Sequence, residues 1–133
     1  MWLLDTNTCI SYLNPRPSKV REQLRTHQAT SLVICDIVKF ELYYGAFRSQ
    51  RVEKNLLTLA HFFAQFPSLS FDDAAARICG QMRAYLAQRG QPIGPYDVQI
   101  AAIALANQVT LVTHNLVEFG RVPGLVVEDW EAA

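Results

Sequence analysis

Short, continuously apolar runs alternate with longer amphipathic stretches along this chain. "MWLLD" at 1–5, "SLVIC" at 31–35 and "VTLVT" at 109–113 lack the in–out alternation of a half-exposed strand. A strand that is apolar on both sides needs cover on both faces, which is the habit of parallel sheets. "LSF" at 69–71 supplies a short third strand, and "LVV" at 125–127 a fifth. The stretches between them read as helices. Residues 6–14 form one, stopped by Pro15 and Pro17, because proline lacks the amide hydrogen that would continue it. Residues 18–27 place Val20 and Leu24 on one face. Residues 36–49 follow, with Asp36 at the cap or in the first turn. Residues 52–66 are very apolar for a helix of that length. Residues 72–90 put Ala75, Ile78, Met82 and Tyr85 on one face and end at Gly90, where a left-handed cap belongs. Residues 94–108 open on Pro95, a good first-turn residue, and are apolar nearly all round, so this helix is expected to be central and buried. Strands alternating with helices predict an α/β fold: a central, mainly parallel sheet of four to five strands flanked by helices.

The 133 residues suit one domain spanning 1–133 with a real core. Twelve basic and twelve acidic residues cancel, so nucleic-acid contact requires a local patch rather than overall charge. Cys9, Cys35 and Cys79 are far apart and odd in number, which fits buried thiols in a reducing compartment and no zinc knuckle. The start lacks the basic segment and apolar stretch of a signal peptide, and no run approaches the ~20 residues that span a bilayer. The expected location is cytoplasmic, with no membrane partner.

In parallel sheets, sites form beyond the carboxyl ends of the strands. Asp5 closes the first strand, and Asn115 and Glu118 follow the fourth. Asp97 lies in the first turn of the central helix. Glu41 lies about 200° round from Lys39 at ~100° per residue, among Ile37, Phe40 and Tyr44. Each acid alone has an ordinary explanation. Asp5 caps a helix, Asp97 favours a helix dipole, Glu41 reaches to the surface, and Glu118 is a loop acid. Together, at one sheet edge, they would repel one another unless a cation sat between them. Hard oxygen donors suit Mg²⁺ or Mn²⁺, and the chemistry that fits is metal-dependent phosphodiester hydrolysis. Thr6, Asn7, Thr113 and Asn115 are candidates to hold ligands or waters from behind.

Four segments then carry a family resemblance: "LLDTNTCI", "FELYYGA", "GPYDVQIAAIA" and "LVTHNLVEFGRVPGLVVEDW", in that order and covering essentially the whole chain. The chain resembles the PIN-domain family, specifically the VapC-type toxins of type II toxin–antitoxin modules. The resemblance implies a three-layer PIN fold, an endoribonuclease using Mg²⁺ or Mn²⁺, a homodimer, and inhibition by a VapB-type antitoxin. By position, Asp5, Glu41 and Asp97 match the family's acids around its metal. Either Asn115 or Glu118 fills the fourth place; Glu118, just before Phe119, is the choice for an acid. Analogy with similar enteric toxins extends to initiator tRNA, cut in the anticodon stem-loop.

An acidic cleft needs basic groups at its rim to hold RNA. Lys39, Arg48 and Arg83 are the first candidates, with Arg51, Lys54 and Arg89 behind them. In the helix at 52–66, Leu56, Leu59, Ala60 and Phe63 make one core stripe. Leu57 and Phe62 are then left for a partner, a dimer or internal packing to cover. A phosphoacceptor receiver domain would want paired acids after the first strand and a late lysine, and no lysine follows Lys54. A haloacid-dehalogenase-type phosphatase would want D-x-D where this chain has Asp5-Thr6-Asn7. The remaining alternative is a catalytically inactive PIN scaffold that binds RNA or protein.

Overall fold

The computed structural model describes residues 1–131. Five strands form one parallel sheet: β1 Trp2–Leu4, β2 Leu32–Cys35, β3 Ser68–Leu69, β4 Thr110–Val112 and β5 Val127–Glu128. Their spatial order is β3-β2-β1-β4-β5, so β1 is central and its neighbours come from opposite halves of the chain. The order reverses beside β1. That is where α/β sheets open a crevice beyond the carboxyl ends.

The flanking helices are α1 Thr6–Leu13, α2 Lys19–Arg25, α3 Asp36–Phe47, α4 Val52–Phe63, α5 Asp73–Gln88, α6 Pro95–Asn107 and the short α7 Leu116–Phe119. Their ends follow from local chemistry. Ser18 and Asp72 cap α2 and α5 by accepting the amides of Arg21 and Ala75. Gly90, at φ +66°, closes α5 by letting the Gln91 amide reach back to the Leu86 carbonyl. All four residues of β2 are buried, as are Val98 and Ile100–Ala104 of α6. α6 is thus the central helix that its all-round apolar sequence predicts, and α5 packs along it.

Three expectations need correction. β3 is Ser68–Leu69 rather than 69–71, because its ladder to β2 stops at the Cys35–Leu69 pair and Asp72 already caps α5. β5 lies at Val127–Glu128 rather than 125–127: the Leu125 amide turns back to the Val122 carbonyl before the strand pairs with β4. On α4 the buried pair is Leu59 and Phe62, while Ala60 is exposed. Phe62 packs against the rings of Tyr12, Phe63 and Phe66, a far larger apolar gain than a methyl group offers. Leu57 remains 66% exposed. Among the described residues no helix is long and apolar enough to cross a membrane.

A carboxylate cluster at the switch point of the sheet

Asp5 follows β1 directly, and its amide donates to the Val112 carbonyl of β4, extending the ladder by one residue. Its Oδ1 accepts the Thr8 amide at 2.8 Å and caps α1. Thr8 is buried and donates its hydroxyl to the same Val112 carbonyl at 3.2 Å. Asp5 itself is only 6% exposed. The cap therefore fixes one carboxylate oxygen to the helix.

Glu41 comes from mid-α3 and accepts the Thr6 hydroxyl at 2.7 Å, which ties α3 to the first residue of α1. The apolar neighbours that made its position odd, Phe40 and Tyr44, are themselves exposed. Glu41 thus stands beside a surface stripe rather than inside the core. It also lines an apolar groove of about 380 Å³ with Ile10, Leu13, Leu42, Ala46 and Leu59.

Asp97 lies in the first turn of α6. Gly94 precedes it, and a Cβ there would sit 3.4 Å from the Asp97 carboxylate. Its pKa is raised from 3.8 to about 6, first by burial, then by the charges of Glu118, Glu41 and Asp5. Asp97 thus feels the other three acids, although four different elements supply the set.

Glu118 is held by Asn115 in two ways. The Asn115 amide group donates to Glu118 Oε2 at 2.9 Å, and Asn115 Oδ1 accepts the Glu118 backbone amide at 3.3 Å. The buried Thr113 hydroxyl in turn accepts the Asn115 amide at 3.0 Å. Of the two rivals for the fourth position, Asn115 thus has both its side-chain oxygen and its side-chain nitrogen committed to Glu118.

Of the other expected residues, Thr6, Thr113 and Asn115 touch the cluster or its supports. Asn7 does not. It is exposed and bonds none of the four carboxylates, standing two residues past the capping Asp5. Thr8 and Gly94 were not singled out from sequence. The signal for Thr8 was its place three residues after a capping aspartate, and for Gly94 its place just before a first-turn proline. The first basic candidates are spread over α3, its C-terminal cap and α5. Lys39 lies over the Phe63 ring, Arg48 over Tyr44, and Arg83 beside Leu86 and Ile93 in a crevice. Among the described residues no lysine or arginine forms an ion pair with the four acids.

An uncompensated all-oxygen donor set of this kind fits a hard divalent cation. The PIN domain family matches residues 2–125. The chain is 41% identical over 129 residues to the tRNA(fMet)-specific endonuclease VapC of Salmonella typhimurium, with 97% of each covered. It is 42% identical to the enzyme of the same name from Shigella flexneri, again over 129 residues and 97% of each. It superposes with a TM-score of 0.90 on VapBC2 from Rickettsia felis, solved bound to a DNA fragment from its promoter. That identity is 34%, covering 97% of this chain and 98% of the other. This chain therefore belongs to the PIN-domain family and, within it, to the VapC toxins of VapBC modules.

Proposed function

We propose that this toxin is an endoribonuclease in which Asp5, Glu41, Asp97 and Glu118 hold Mg²⁺ or Mn²⁺ and hydrolyse an RNA phosphodiester. The observation that carries this reading is that four elements bring Asp5, Glu41, Asp97 and Glu118 to the switch point of the sheet, with no lysine or arginine paired to them among the described residues; the raised pKa of Asp97 agrees with it. When bound, such an ion supplies Lewis acidity to the phosphodiester and acidity to an attacking water. The chain's own residues supply the rest. The Thr8 amide fixes Asp5, the Thr6 hydroxyl restrains Glu41, and Asn115 aims Glu118. Asp97, raised to about 6 by burial and by the charges of Glu118, Glu41 and Asp5, takes up a proton more readily than an ordinary carboxylate, so acid competes with a cation there. Lys39, Arg48 and Arg83 contribute phosphate contacts around the cleft.

The names of the Salmonella and Shigella relatives support tRNA as substrate, and initiator tRNA cut in its anticodon stem-loop is the specific target we assign. A loop suits the chemistry because its unstacked bases and backbone are accessible. The VapBC complex supports a VapB-type antitoxin as partner. The groove that contains Glu41 adjoins exposed Phe40, Tyr43, Tyr44 and Phe47 on α3, at the i, i+3, i+4, i+7 spacing of a docking stripe. An antitoxin segment laid there covers the stripe and blocks the cleft, and a second copy of the toxin completes a homodimer.

The test is to incubate antitoxin-free protein with total tRNA in Mg²⁺, Mn²⁺ or EDTA, alongside Asp5→Asn. Discrete cuts that need both metal and Asp5 are expected. Cleavage that survives EDTA, or wild-type cleavage by a folded Asp5→Asn chain, would remove the metal site from the mechanism.

A further inference from the structure

We infer that His114, Asp129 and Glu131 form a second, separate cation site, for a divalent first-row transition ion such as Zn²⁺. The three come together just past the carboxyl ends of β4 and β5. His114 Nδ1 lies 3.0 Å from Asp129 Oδ2 and 3.5 Å from Glu131 Oε2, and the three donor atoms all lie within 4.8 Å of one another. Donors held 2.0–2.2 Å from one ion stand about 3.0–3.6 Å apart along the edges of its coordination shell. Both distances to His114 fall in that range.

The chain prepares this arrangement. The Thr113 amide donates to the Glu128 carbonyl, which fixes the start of residues 129–131 against the turn carrying His114. Trp130 is buried and stacks on the His27 ring at 4.6 Å, anchoring the residue between the two acids. Asp129 and Glu131, two apart, are left on the same side, and the Glu131 amide donates to Asp129 Oδ1. The Asp129 side chain is 11% exposed, whereas that of His114 is 66% exposed. One donor is therefore held fast, while the site stays open for solvent to complete the shell.

Composition distinguishes this site from the four-carboxylate cluster. An imidazole nitrogen with two carboxylates favours Zn²⁺, Co²⁺ or Ni²⁺ over Mg²⁺. A bound ion would staple residues 129–131 to the turn whose next residue, Asn115, aims Glu118. The competing occupant is a proton: an imidazolium bridging two acids satisfies the same distances.

Zn²⁺ titration of the full-length Asp5→Asn chain by calorimetry separates the two, because that background weakens the other cluster. One equivalent of Zn²⁺ is expected, with affinity reduced about 10-fold or more by His114→Asn or Asp129→Asn, and undiminished by excess Mg²⁺. Zn²⁺ should also raise the melting temperature of the parent chain and not that of its His114→Asn derivative. Only three histidines are present, so a Zn²⁺-dependent shift of the His114 ring resonances can be assigned by the same substitution. Equal affinity with and without His114, or no Zn²⁺ binding at millimolar concentration, would leave a protonated ion pair and overturn the site.

Discussion

Two groups of acids share one edge of this sheet and manage their charge differently. At β1, α3, α6 and the β4–α7 turn, four carboxylates lie with no basic partner among the described residues, and Asp97 is driven up to about 6. At the end of β5, Asp129 and Glu131 face an imidazole. The first group is anchored by backbone amides and hydroxyls, which orient oxygen atoms without cancelling charge. The second is anchored by a buried tryptophan and carries its own nitrogen. A site kept electrostatically uncomfortable must be relieved by something from outside. A site with a partner in place can stand as it is.

Substitutions test this contrast, and the largest effect should come from Asp5. Asp5→Asn is expected to lower tRNA cleavage by more than about 100-fold, beyond what loss of a supporting residue costs. Its stability should remain near wild type, since Asn caps helices as well as Asp. Asp5→Ala should lose about 1 kcal/mol as well, read from denaturant midpoints, because the cap goes with the charge. A folded Asp5→Asn chain with near-normal activity would erase the distinction between the two groups.

Next comes Asn115→Ala. It frees Glu118 from both of its bonds and should reduce cleavage about 10-fold while leaving Glu118 ionisable. If Asn115→Ala behaves like wild type, Glu118 is aimed by something else.

A smaller effect concerns stability. Asp97 binds its proton more tightly folded than unfolded, so its contribution to stability falls as pH rises from about 4 to about 6. In EDTA, Asp97→Asn should therefore be more stable than wild type at pH 7, by about 1 kcal/mol once solvent screening of this half-buried group is allowed for. The advantage should vanish near pH 4. Denaturant midpoints at the two pH values check it, and equal midpoints at pH 7 would mean that the acids do not repel.

The smallest effect belongs to the other group. His114→Ala in EDTA should change stability by less than about 0.5 kcal/mol, because the imidazole is largely exposed. A larger loss would give the ion pair a structural weight that its exposure does not suggest.

Much of this was legible in the chain. β2 and α6 could be read because burial on every side leaves a signature that needs no partner to interpret: Leu32–Cys35 and Val98–Ala104 have almost no polar position to spare. Asp5 was legible because it ends an apolar run. Glu41 stood out for a reason that the structure revises. Its apolar neighbours Phe40 and Tyr44 form a surface stripe, and periodicity alone does not separate a face turned to the core from one turned to a partner. For the same reason Phe62 was set aside in favour of Ala60. Sequence pointed to Glu118 as the acid and to Asn115 as a support; the two bonds by which Asn115 holds Glu118 were beyond it, since they depend on which way both side chains turn from one short helix. Asn7 shows that nearness to Asp5 in sequence does not set direct contact: two residues past it, the side chain is exposed.

The central place of β1 also bears on how the protein comes into being. This strand pairs with the early β2 on one side and with β4 on the other, so one side of β1 waits for a strand synthesised much later. Asp97 and Glu118 are synthesised late as well. At about 5–20 residues added per second, a nascent chain spends seconds holding Asp5 and Glu41 alone. Pairing across so long a separation is also slow to form. The cluster is thus assembled late in synthesis, and the cell that makes this toxin has that interval in which to supply whatever restrains it.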